Sequence, residues 1–142
     1  MPEAADPYDL ARFVRAQDPV FEGVCRELEN GRKTSHWMWF VFPQIAGLGA
    51  SAMSARFAIS SPDEARAYLA HPVLGPRLRR CVSILLGLTG LSAYEIFGSP
   101  DDRKLHSSIT LFELAAPGEK LFSQALDRYF EGVPDKATLE RL

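Results

Sequence analysis

Helix starts and stops are written into this chain at short intervals, and they leave room only for short helices. Ser61-Pro62-Asp63-Glu64 is a complete start signal. The serine oxygen can accept the N–H of Glu64, proline takes the first helical position where its missing N–H costs nothing, and acids fill the first turn. Glu64 is expected to reach back to the N–H of Ser61. Ser92-Ala93-Tyr94-Glu95 repeats the pattern, Ser99-Pro100-Asp101-Asp102 opens another helix, and Asp6-Pro7 opens the first. The stops are equally local. Gln17-Asp18-Pro19 ends a helix because the residue before proline is pushed out of the α region. Gly31, Gly98 and Gly132 supply C-terminal turns, and His71-Pro72 and Pro117 close two more segments.

Between these marks apolar residues recur at helical spacing. Phe21, Val24, Cys25 and Leu28 share a face, as do Leu105, Ile109 and Phe112. Leu74, Leu78, Cys81, Val82, Leu85 and Leu88 form the cleanest stripe, and Leu121, Phe122, Ala125, Leu126, Tyr129 and Phe130 a later one. The expected fold is all-α: a compact bundle of six or seven short helices, one domain spanning residues 1–142, with a last turn or two after Asp135. Residues 32–60 are the undecided stretch. His36 to Phe42 alternates like a strand, yet it also reads as a helix apolar on every side and therefore buried. With no partner strand in sight, the helix is preferred.

Composition excludes several functions. Sixteen Lys+Arg against eighteen Asp+Glu leave a net charge of −2, which does not suit a strongly basic nucleic-acid binder. A hydrophobic fraction of 46% with 24% charged residues matches a folded domain. Apolar runs such as Trp37 to Pro43 fall well short of the roughly 20 residues a membrane span needs. The start, Met1 to Asp6, is acidic without the features of a secretory leader, so a soluble, cytoplasmic protein is expected. Cys25 and Cys81 read as two buried cytosolic thiols. His36, His71 and His106 stand on separate segments with no metal-ligand spacing, and no cofactor is implied. Gly47-Leu48-Gly49 with Ser51 and Ser54 lacks the spacing of a phosphate loop and reads as a turn. Arg77, Arg79 and Arg80 lie off the apolar stripe, as a solvated face or a surface for an acidic partner.

Two segments stand apart chemically. In Lys33-Thr34-Ser35-His36-Trp37-Met38-Trp39-Phe40-Val41-Phe42-Pro43-Gln44, an amine, two hydroxyls and an imidazole precede a block holding both tryptophans. Aromatic walls with a polar rim suit a small-molecule pocket, with Lys33, Ser35, Trp37, Trp39 and Gln44 as ligand contacts. His36 is the candidate general acid/base. The plainer alternative makes the aromatics core and gives His36 a backbone carbonyl. In Asp101-Asp102-Arg103-Lys104-Leu105-His106-Ser107-Ser108-Ile109-Thr110, a helix at about 100° per residue places Lys104, Ser107 and Ser108 on one narrow face able to receive a phosphate or carboxylate. Small side chains at a close helix crossing are the alternative.

The strings Gly31 to Gln44, Tyr68-Leu69-Ala70-His71-Pro72-Val73-Leu74-Gly75 and Lys104 to Phe112 together resemble the signature blocks of a mostly bacterial family, domain of unknown function 1810. Leu10 to Gln17 and Tyr129-Phe130-Glu131-Gly132 with Asp135 and Thr138 are similar too, so the resemblance runs along nearly the whole chain. Ile109 stands where the family pattern has Met, a swap of similar volume. The resemblance implies a small, mainly helical, cytoplasmic protein and carries no catalytic residue with it.

Three functions follow. The first is a binding module in which the two segments meet around an anionic ligand, a nucleotide or another phosphorylated metabolite, with a tryptophan against its ring and Lys33, Lys104, Ser107 and Ser108 on its charge. The second makes that pocket catalytic through His36, in hydrolysis or group transfer. The third is an interaction or structural domain with no small ligand. His36, Lys104 and Ser107 or Ser108 around one cavity would favour the first two; opposite faces would leave the third.

Overall fold

The start and stop signals resolve into ten helices in the computed structural model, which describes residues 5–142. The acidic, leaderless reading of residues 1–4 lies outside the described residues. In chain order the helices are α1 (Ala11–Gln17), α2 (Phe21–Glu29), α3 (Met38–Val41), α4 (Ala52–Arg56), α5 (Pro62–Ala70), α6 (Leu74–Gly87), α7 (Ala93–Phe97), α8 (Asp101–Ala115), α9 (Lys120–Phe130) and α10 (Lys136–Leu139). The fold is all-α. The helix count exceeds six or seven because the single turns α3 and α10 count as helices of their own and because α4, five residues long, shows no period in the sequence. Among the described residues the β-type pairing is one isolated parallel bridge, Ile45 to Ile59. The stretch from His36 to Phe42 is helical only over Met38–Val41, where Met38, Phe40 and Val41 are all buried. No helix of the described residues is long and apolar enough to cross a membrane.

Most caps form as their sequences require. Ser61 accepts the N–H of Glu64 at 3.1 Å, and Ser92 with Glu95 closes a full capping box. Asp6 accepts the N–H groups of Leu10 and Ala11 one turn ahead of α1. Four details differ from expectation. Pro7 is not the first helical residue, since α1 begins at Ala11 behind Leu10. Asp18 keeps α-region dihedrals although Pro19 follows it. Glu64 does not return to Ser61: its Oε1 takes the N–H and hydroxyl of Ser60, because Oε2 is held by Arg12 at 3.0 Å. Ser99 caps nothing; α8 starts behind Pro100 without a side-chain cap.

The core is one contiguous cluster with α8 in its middle, against α5, α7, α9 and α10. Helix α6 packs on α2, α5 and α9. Aromatic rings run through it in sequence: Phe13 to Tyr68 at 5.2 Å, Tyr68 to Phe112 at 5.2 Å, Phe112 to Phe122 at 6.0 Å. Where α5 hands over to α6 the backbones nearly touch. A Cβ on Gly75 would stand 2.1 Å from the carbonyl oxygen of Leu69, so only glycine fits there. Cys25 and Cys81 are buried and free. The α6 arginines are spoken for within the molecule: Arg77 with Asp18 at 2.8 Å, Arg79 with Glu119 at 2.6 Å, and Arg80 with Glu22 at 3.5 Å. Arg77 and Arg80 also lie over the ring of Phe21.

Candidate functional site: paired hollows around Gln44

The segment between α3 and α4 is fixed by backbone bonds before any side chain matters. The N–H of Ile59 donates to Gln44 O and that of Ala46 to Ile59 O, each at 2.8 Å. The opposite wall hangs on Arg12, whose Nε donates to Arg56 O and whose Nη2 donates to Ala58 O and Glu64 Oε2. Its Nη1 donates to Tyr8 O and Asp9 O, so every guanidinium N–H has an acceptor. Between these supports lies a hollow of about 320 Å³ walled by Trp39, Gln44, Ile45, Phe57 and Ala58 and by the Ala46–Gly47 backbone.

A second hollow, about 330 Å³, shares Gln44 and Gly49 with the first. Its floor is one face of α8 and its lead-in: Pro100, Arg103, Lys104 and Ser107 recur at i, i+3, i+4 and i+7. Asp135 and Ala137 close it from the C-terminal segment. That segment is tied down by Asp135, whose Oδ2 accepts the hydroxyls of Ser107 and Thr138 and the N–H of Thr138, while its own N–H donates to Thr110. Arg141 then lies against Gly47. A Cβ there would be 2.6 Å from Nη1, and φ is +97°, so the contact and the backbone both call for glycine.

Charge is arranged around one carboxylate. Asp101 holds Lys33 at 2.8 Å and Lys104 at 3.8 Å. Lys104 Nζ stands 5.2 Å from the centre of the Trp39 ring, a cation–π arrangement. Lys33 sits over Trp37 at the same distance, with its side chain only 8% exposed. Trp39 Nε1 is buried without a hydrogen-bond acceptor.

His36 belongs elsewhere. It lines a separate cleft of about 270 Å³ with Val20, Arg26, Glu27, Ser35 and Trp37. There Glu27 Oε1 accepts the N–H groups of Thr34 and Ser35 and the indole N–H of Trp37, at 2.6, 2.9 and 3.1 Å. Partial burial pushes the Glu27 pKa upward, but the donors from Thr34, Ser35 and Trp37 outweigh it and hold the carboxyl at about 2.

Of the residues singled out in the sequence, Trp39, Gln44, Lys104 and Ser107 converge on the paired hollows. Ser35, His36 and Trp37 line the Glu27 cleft, so the three-way meeting of His36, Lys104 and a serine does not occur there. Trp37 is buried against Phe42 and Phe97 and presents no stacking face, and Lys33 is engaged by Asp101. Ser108 is fully buried and lines neither hollow. The reason is spacing: Leu105, Ser108, Ile109 and Phe112 form their own i, i+3, i+4, i+7 row, which faces the core. The same count would have found Arg103, four residues before Ser107. Asp135 and Arg141 had no such signal, being placed by contacts across the fold. Among the described residues no group of three or more His, Cys, Asp or Glu is set to hold a metal ion.

A family model described as a protein of unknown function (DUF1810) matches residues 7–142. The crystal structure of the conserved hypothetical protein Rv1873 from Mycobacterium tuberculosis is similar at 51% sequence identity, covering 96% of this chain and 98% of that one with a TM-score of 0.95. No curated protein matches.

Proposed function

We propose that this chain, which belongs to the DUF1810 family, binds an anionic small molecule in the paired hollows around Gln44. The observation that carries the reading is that Gln44 and Gly49 border both an aromatic hollow walled by Trp39 and a cationic one floored by Arg103 and Lys104. A ligand with a flat apolar part and a charged end is matched by such a pair: surface burial against Trp39 and Phe57 for the one, charge-assisted hydrogen bonds for the other. Gln44 offers both a donor and an acceptor between them. No histidine lines either hollow, so the support is for binding rather than for acid–base chemistry at this place.

Thermal unfolding across nucleotides, phosphosugars and carboxylates tests this. A ligand at a hundred times its Kd stabilises by about 2.7 kcal/mol, which raises the Tm by several degrees. The expected hit is lost in Lys104→Ala. A panel with no Lys104-dependent hit would leave a structural or interaction domain.

A further inference from the structure

We infer that the ligand's charged end is a phosphate monoester bound as its dianion, and that Arg103 and Arg141 hold it together with Lys104. The inference rests on the reading of the paired hollows as a ligand site. Two cations, Arg103 and Lys104, lie in the floor of the second, and the Arg141 guanidinium lies against Gly47, whose backbone lines the first. The arginines of α6 each have a carboxylate within 3.5 Å, whereas among the described residues neither Arg103 nor Arg141 forms an ion pair. Lys104 is only loosely neutralised, since Asp101 sits a full ångström closer to Lys33.

Asp135, the carboxylate inside the second hollow, spends Oδ2 on Ser107 and Thr138. In a chain of net charge −2, the lining of the second hollow carries two positive groups, Arg103 and Lys104, against the one negative Asp135, with the Arg141 guanidinium on the adjoining Gly47. A phosphate monoester carries close to two charges at neutral pH and three terminal oxygens, enough to accept from two guanidinium forks and an ammonium.

Phenyl phosphate and benzoate share a ring and differ in the anion, so calorimetric titration of the intact protein with each isolates the charged end. At pH 7.5 phenyl phosphate is expected to bind at least about tenfold more tightly than benzoate. Its affinity should fall as pH drops through about 6, where the phosphate takes its second proton. His106 lines neither hollow; its ring stacks on Phe130 and bonds Val133 O. Arg141→Gln and Arg103→Gln, both at exposed positions, should each weaken phenyl phosphate about tenfold and weaken benzoate by distinctly less. Equal affinity for the two compounds, no binding of phenyl phosphate, or undiminished binding in both variants overturns the inference. The ligand-site reading stands or falls separately, on whether the wider panel yields a Lys104-dependent hit.

Discussion

At the scale of single residues, Glu27 does the most with the least. One oxygen gathers three donors from the loop that follows α2, fixing Thr34, Ser35 and Trp37 in a segment that lacks regular structure. Charge-assisted bonds of this kind contribute about 1.5–3 kcal/mol to stability, and Glu27→Gln should cost that much at neutral pH. The sign of the pH dependence follows from the lowered pKa. Glu27 titrates at about 2 in the folded protein against an ordinary 4.5, so its contribution is complete above pH 4.5 and is lost as pH falls towards 2. Melting curves of the two proteins should therefore converge in acid, and a deficit as large at pH 2 as at pH 7 would contradict the role. Residue scale is also where the two serines of α8 part company. Ser107 reaches Asp135 while Ser108, one position on, is rotated into the interior.

Among elements, the turn between α4 and α5 depends on a side chain from α1. Arg12 clasps Arg56 O, Ala58 O and Glu64 while its other N–H groups hold Tyr8 O and Asp9 O. Lysine keeps the charge at that place but not the fork, so Arg12→Lys should destabilise by about 2–4 kcal/mol. Urea unfolding is expected to show a lower midpoint with an unchanged slope, and an unchanged midpoint would mean the clasp contributes nothing. The boundaries of α5, α6 and α7 were legible in the sequence because caps and prolines act within four residues of themselves. For α3 the helix preferred over residues 36–42 forms only at Met38–Val41, and α4 had no signal, since a single turn has no period and is held by its neighbours. The candidate site was legible at Lys104 and Ser107, which share one helix face, and at Trp39 and Gln44 in the polar–aromatic segment. Its remaining walls are set by the Ile45–Ile59 bridge, by Asp135 and by Arg141, all contacts between segments far apart in the chain.

Across the whole molecule, the aromatic series from Phe13 to Phe122 joins α1, α5, α8 and α9 into one unit. Phe112 stands in its middle and is fully buried, and Phe112→Ala should cost about 3–5 kcal/mol in chemical denaturation. Cys25 and Cys81 lie in the same interior, so iodoacetamide should label neither until the protein opens, and labelling should follow global unfolding as denaturant is raised. Asp101 adds a longer reach. It stands between two ammonium groups, each riding on a different indole. An anion that draws Lys104 away leaves Asp101 to Lys33 alone, and the field over Trp37 changes on the far side of α3. In Trp39→Phe, Trp37 is the sole remaining fluorophore of its kind. The protein would thus announce an occupant of one cleft by the colour of light emitted from the wall of the other.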